Sequence, residues 1–257
     1  MNKNIYIIAN WKMQLTAKES VDLANALKHE NMKALKQNDV ELILCPSFTA
    51  LGEVGEVIKK SDIKLGAQNV FYHEKGAYTG EVSVKQLQEL GVEYTIVGHS
   101  ERRQYQNETD EEINQKIKIC LENDLTPILC VGEKFDERQD GKTDLVLIKQ
   151  ITKALQDIKL NSGQRLIIAY EPVWVIGSGQ AVEPLEAKRA AEVIGRLLLE
   201  FFSQDEVENN ISVIYGGSVD ETNVKDFVVP GILEGVLVGG ASLKAEKFIS
   251  LIKAVSK

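Results

Sequence analysis

The sequence predicts an α/β chain whose eight strands run parallel and close into a (β/α)8 barrel. Short β-branched runs alternate with helical patterns of roughly 10 to 18 residues, at about 32 residues per unit, which is the spacing of a βα repeat. Several of the runs are apolar throughout, as in Leu42-Ile43-Leu44 and Leu166-Ile167-Ile168-Ala169, so both faces of those strands are expected to be covered, as in a parallel sheet. No Pro/Gly/Ser-rich linker or shift in composition divides the chain, so residues 1–257 are expected to form one closed barrel domain rather than two doubly wound halves with open sheet edges.

In chain order the strands are expected at Ile5 to Ala9, Val40 to Cys45, Lys64 to Ala67, Tyr94 to Val97, Thr126 to Val131, Arg165 to Tyr170, Ile211 to Tyr215 and Gly235 to Val238. Between them, three sets of apolar residues fall at helical spacing: Leu23, Ala24, Leu27 and Leu35; Ile113, Ile117 and Leu121; and Leu145, Ile148, Ile151 and Leu155. Thr109-Asp110-Glu111-Glu112 reads as a capping box, in which hydroxyl and carboxylate satisfy free backbone amides at a helix start. Two connections exceed what a βα turn needs: Val70 to Thr79 after the third strand, and Pro172 to Val182 after the sixth. Long loops without a pattern of their own are more often functional than incidental.

The chain has 257 residues, 44% hydrophobic and 26% charged, an ordinary globular composition that can bury a large core. Its net charge of -8 and the lack of a Lys/Arg cluster interleaved with aromatics argue against nucleic acid as a partner. Cys45, Cys120 and Cys130 show no CxxC spacing, and His29, His73 and His99 add no zinc ligand set, so the cysteines read as buried reduced thiols. Met1 to Ala9 lacks the layout of a secretory signal and no apolar run approaches membrane-spanning length; a cytoplasmic protein without membrane contact is expected.

The unusual polar residues share one topological position. Asn10 and Lys12 follow the first strand, His99 and Glu101 the fourth, Glu171 the sixth, Gly216-Gly217-Ser218 the seventh and Gly239-Gly240 the eighth. Taken singly, Lys12 is a solvated loop lysine, His99 a structural histidine and Glu171 a turn residue. Together they stand at the C-terminal ends of strands, the barrel face that carries active sites. Lys12 is the one lysine expected at that mouth. The glycine pairs, at the starts of helices and without Cβ atoms, suit a phosphate, and Gly240-Ala241-Ser242-Leu243 could begin the short extra helix of such a site. Val175-Ile176-Gly177-Ser178-Gly179-Gln180 lacks the third glycine and strand-to-helix context of a dinucleotide fingerprint, so it suits a mobile flap better than a nicotinamide site.

Asn10-Trp11-Lys12-Met13, Gly98-His99-Ser100-Glu101-Arg102-Arg103, Tyr170-Glu171-Pro172-Val173-Trp174, Tyr215-Gly216-Gly217-Ser218 and Leu237-Val238-Gly239-Gly240-Ala241-Ser242-Leu243 resemble the triosephosphate isomerase family, in family order and over essentially the whole chain. The resemblance implies a cofactor-free and metal-free isomerase of triose phosphates working through an enediolate. It implies Glu171 as the base that moves a carbon-bound proton, and His99 as a neutral imidazole that polarises the carbonyl, a protonation state this family itself exemplifies. Lys12 would supply fixed positive charge, Asn10 a hydrogen bond beside it, and Glu101 a supporting or relay group near both. Gly177, Ser218, Gly239 and Gly240 would hold the phosphate; Ile176 and Leu237 would cover Glu171; Arg102 would brace loops and the subunit interface. It also implies a homodimer in which the Val70–Thr79 loop brings Thr79 against the partner subunit's Asn10 and the partner subunit's Lys12. Departures from the family pattern are Gln14, Val175, Ser178 and the Gln180-Ala181-Val182 hinge, none of them in the implied chemistry. An aldolase-like barrel would need a desolvated Schiff-base lysine and a metal epimerase His/Asp ligands; neither set is evident. A noncatalytic phosphate-binding barrel would have no use for the negative charge of Glu171.

Overall fold

The computed structural model describes residues 4–31, 40–177 and 181–255. Strands β1 (Ile5–Asn10), β2 (Val40–Cys45), β3 (Lys64–Ala67), β4 (Tyr94–Val97), β5 (Thr126–Val131), β6 (Leu166–Tyr170), β7 (Ile211–Tyr215) and β8 (Gly235–Val238) pair in chain order and close, β8 returning to β1, into an all-parallel barrel. This is the (β/α)8 TIM barrel that the alternation of runs predicts. Six strands have the expected bounds. β1 runs one residue further, to Asn10, and β6 begins at Leu166 because Arg165 leaves the ladder to cap the barrel floor.

Side-chain alternation along each strand divides the core in two. Inside the barrel pack Ile8, Ile43, Ile96, Ile128, Cys130, Ile167, Ala169, Ile214 and Leu237. The alternate residues, among them Ile7, Leu42, Leu44, Val97, Leu129, Ile168 and Val236, point outward into a larger cluster under the helices. At the floor, Arg165 donates to the Tyr6 hydroxyl at 3.0 Å, to Glu41 at 3.1 Å and to the Tyr94 hydroxyl at 2.7 Å, while Tyr94 donates a short hydrogen bond to Glu41. This polar plug closes the end opposite the mouth.

The main helices are α1 (Ala17–Asn31), α2 (Leu51–Ile58), α3 (Val84–Glu89), α4 (Ser100–Tyr105), α5 (Asp110–Glu122), α6 (Phe135–Gln139), α7 (Thr143–Ala154), α8 (Pro184–Leu198), α9 (Gln204–Asn210) and α10 (Ala245–Val255). Leu23, Ala24 and Leu27 of α1 and Ile113, Ile117 and Leu121 of α5 are buried as the periodicity predicts; Leu35 lies outside the described residues. Thr109 and Glu112 cap α5 reciprocally. The stripe expected in α7 is corrected. Leu145 and Ile148 are 66% and 42% exposed, and the buried face is Leu147, Ile151 and Ala154, continued by Leu155. Both stripes satisfy helical spacing, and packing on β5, α5 and α8 selects the second.

Candidate active site

Asn10, Lys12, His99, Glu101, Glu171, Gly177, Ser218, Gly239 and Gly240 all line one cavity of about 590 Å3 at the C-terminal end of the strands. The sequence-predicted site is therefore brought together whole, from residues up to 230 positions apart. Ser178, Gly179 and Gln180 of the expected flap lie outside the described residues.

Loop one places Lys12. Its backbone takes the left-handed conformation, φ 51°, which a lysine adopts only when its surroundings hold it there. Two side chains do so: Asn10 Oδ1 accepts the Lys12 amide at 3.0 Å, and Gln68 Nε2 donates to the Lys12 carbonyl at 2.8 Å and to the Cys45 carbonyl at 2.9 Å. The Lys12 ammonium then donates to Glu101 Oε1 at 2.7 Å. Its aliphatic stem passes below loop eight, where a Cβ added to Gly239 would lie 3.5 Å from Lys12 Cε.

His99 is the N-cap of α4, and its Nδ1 accepts the backbone amide of Glu101 at 3.2 Å. A nitrogen that accepts an N–H carries no proton, so the imidazole proton sits on Nε2, which faces Glu171 Oε1 at 3.0 Å. The other Glu171 oxygen accepts the Ser100 amide at 2.9 Å. Burial pushes the Glu171 carboxyl up, yet His99, the Ser100 amide and Lys12 outweigh it and hold Glu171 below the ordinary carboxylate range. In this arrangement these partners compensate the buried charge. For His99, burial lowers the pKa and the adjoining Glu171 more than restores it, so in the resting pair it lies above the usual value; protonating Nδ1 would cost the bond from Glu101.

The remaining wall is backbone. Gly216 must be glycine, since a Cβ there would lie 2.9 Å from Glu171 Cγ. Gly240–Leu243 forms the short 3-10 helix foreseen after β8, and the first amides of such a turn have no partner within it. Ile176 and Leu237 add apolar surface to the lining. Arg102 braces the loops through Glu108, which it meets at 3.0 Å and which also takes Lys116.

Three contributions escape sequence reasoning. Glu133, beyond β5, is fully buried and accepts Trp174 Nε1 at 3.0 Å and the Tyr170 hydroxyl at 3.2 Å, tying the 3-10 turn at Val173–Val175 to the barrel; burial raises its carboxyl despite those donors. Gln68 clamps loop one as described. The expectation that Lys12 is the one lysine at the mouth is also corrected, for Lys244 and Lys247 line the same cavity. Only the Trp174 indole, which when buried wants an acceptor, gave any sign of the first; the other two depend on how neighbouring loops meet.

Among the described residues no group of three or more His, Cys, Asp or Glu is placed to hold a metal ion, and no helix is long and apolar enough to cross a membrane.

The family model for triosephosphate isomerase matches residues 5–255. A protein named triosephosphate isomerase from Dictyoglomus turgidum is 42% identical over 248 residues, covering 96% of this chain and 98% of its own. Those of Endomicrobium trichonymphae and Caldanaerobacter subterraneus subsp. tengcongensis are 44% and 43% identical, covering 95% and 96% of this chain and 96% and 97% of their own.

Proposed function

The chain belongs to the triosephosphate isomerase family, and on that premise we propose that it interconverts D-glyceraldehyde 3-phosphate and dihydroxyacetone phosphate, the triose isomerisation of glycolysis and gluconeogenesis. The observation that carries the chemistry is the pairing of a charged carboxylate and a protonated imidazole nitrogen, Glu171 Oε1 and His99 Nε2, 3.0 Å apart on the wall of one cavity.

In this reading the triose displaces that contact and lies between the two groups. Glu171 takes a proton from one carbon and returns it to its neighbour. His99 donates its Nε2 proton to the carbonyl oxygen and recovers a proton from the adjacent oxygen, so the substrate is rearranged with no net gain or loss. A neutral imidazole suits this exchange, and the amide of Glu101 on Nδ1 favours that state. Lys12 offsets the negative charge of the enediolate, with Asn10 shaping its loop and Glu101 orienting it. Gly177, Ser218, Gly239 and Gly240 receive the phosphate, while Ile176 and Leu237 keep water from Glu171. No cofactor or metal enters the scheme.

We read residues 1–257 as one barrel domain of a cytoplasmic enzyme, active as a homodimer joined through the Val70–Thr79 loop. Supporting the dimer, Met13, 93% exposed, Phe48 and Tyr78 are presented by the loops after β1, β2 and β3, and Tyr105, 69% exposed, by the end of α4. The third of these loops carries an aromatic cluster in which His73 stacks on Tyr78 with centroids 4.9 Å apart. Exposed apolar side chains on successive βα connections are what a partner subunit would cover. The functional test is a coupled assay of glyceraldehyde 3-phosphate conversion to dihydroxyacetone phosphate by purified protein after exhaustive chelation. Conversion is expected, and failure to detect it would overturn the assignment.

A further inference from the structure

The charge around the mouth presents a problem for a dianionic substrate. The protein carries a net charge of -8, and Lys12, the cation nearest the reacting groups, already pairs with Glu101 at 2.7 Å. Among the described residues lining the cavity, the carboxylates are Glu101, Glu171 and Asp220, and the lysines are Lys12, Lys244 and Lys247. Without the latter two the mouth would repel a phosphate.

Lys244 and Lys247 are set at the rim. Lys244 follows the short helix Gly240–Leu243, and Lys247 lies one turn on, in the first turn of α10. Both are exposed, and among the described residues neither forms an ion pair. Lys247 reaches Asp220 only through its field, as a minor contribution to a carboxyl held low chiefly by Thr222. Their positive charge is therefore directed outward, beside the glycine turn that receives the phosphate, rather than consumed by the protein.

We propose that Lys244 and Lys247 form an electrostatic gate that draws the phosphate dianion to the mouth and makes a net acidic protein attractive to it, without touching the reacting atoms. The proposal rests on the isomerase reading and adds two residues outside the proton-transfer machinery to it. In a cleft with low-dielectric walls, a few like charges focus the field and raise the arrival rate of an oppositely charged ligand. At physiological ionic strength such attraction extends over about 8 Å, so it is sensitive to salt.

The experiment compares wild type, Lys244→Gln/Lys247→Gln and Lys244→Arg/Lys247→Arg, measuring kcat and kcat/KM for glyceraldehyde 3-phosphate from about 10 mM to about 500 mM sodium chloride. In the glutamine variant kcat is expected to stay within about twofold, while kcat/KM falls about tenfold at low salt and converges on wild type at high salt. The arginine variant should keep the wild-type salt dependence. An unchanged salt dependence in the glutamine variant would overturn the gate, as would a loss of kcat that persists at high salt. A wild-type protein with no isomerase activity would instead overturn the functional assignment, so the two failures are distinct.

Discussion

His99 Nε2 and Glu171 Oε1 meet at 3.0 Å across the mouth of the barrel, one from the end of β4 and the other from the end of β6. The approach sets a carboxylate oxygen beside an imidazole nitrogen, while the other Glu171 oxygen accepts the Ser100 amide at 2.9 Å. In the proposed reaction, a substrate that separates them meets a base at its carbons and a proton donor at its oxygens.

Shortening the base tests that arrangement. Glu171→Asp withdraws the carboxylate by about 1 Å, and turnover should fall on the order of 100-fold while the affinity for a substrate analogue changes little. Steady-state kinetics with a competitive phosphate inhibitor separate the two quantities. Unchanged turnover would remove Glu171 from the role of base.

Lys12 should behave differently, because its charge serves both binding and the enediolate. In Lys12→Met, Glu101 loses its 2.7 Å partner and the phosphate meets an acidic mouth, so KM should rise and kcat should fall by about 100-fold or more. Activity retained within a few fold would show that the phosphate is held without it.

Deleting Ile176 to Gly179 addresses water exclusion. Gly177 lies at the edge of the cavity with φ 76°, a conformation suited to glycine. A lid that closes over the phosphate protects the enediolate, and the flap of this family is itself an example of such closure. Without it the intermediate should eliminate phosphate, so the variant should remain folded but release inorganic phosphate and methylglyoxal as a major product. Product partitioning measured with labelled substrate decides; normal turnover without excess phosphate would make the loop a passive connection.

Assembly is checked by sedimentation at micromolar concentration. A dimer is expected, and truncating the tip from His73 to Tyr78 should give monomers with activity reduced by at least about tenfold, because loop one would lose its support. Full activity in a purely monomeric wild type would refute the dimer as the working unit.

At the barrel floor, burial pushes the Glu41 carboxyl up, while the Tyr94 hydroxyl, Arg165 and Asn4 outweigh it and hold the carboxyl below its ordinary 4.5. A depressed folded pKa contributes stability that is fully present above the unfolded value and is lost as the pH falls through the folded one. Glu41→Gln should therefore cost about 1–3 kcal/mol at pH 7, and its difference from wild type should shrink as the pH drops below about 4. Urea denaturation at the two pH values measures this; an equal difference at both would exclude Glu41 as the source.

By itself the sequence determined the order of the eight strands, the bounds of six of them and the candidate polar and glycine residues that meet at the mouth. These follow from local causes: hydrophobic periodicity sets strand and helix, and each candidate site residue stands just past the end of a recognisable strand or, for Gly177, in the loop that follows one. Tertiary structure decided what local pattern leaves open. Leu145-Ile148 and Leu147-Ile151 satisfy helical spacing equally, and only the surface beneath α7 separates them. Arg165 belongs by propensity to β6, yet closure of the barrel brings Tyr6, Glu41 and Tyr94 within reach and draws it to the floor. Glu133 is buried because Trp174, 41 residues later, offers it a donor. Lys244 and Lys247 come to the mouth because α10 begins where β8 closes against β1. In each case the deciding partner is distant in sequence, and its proximity is a property of the closed barrel rather than of any segment within it.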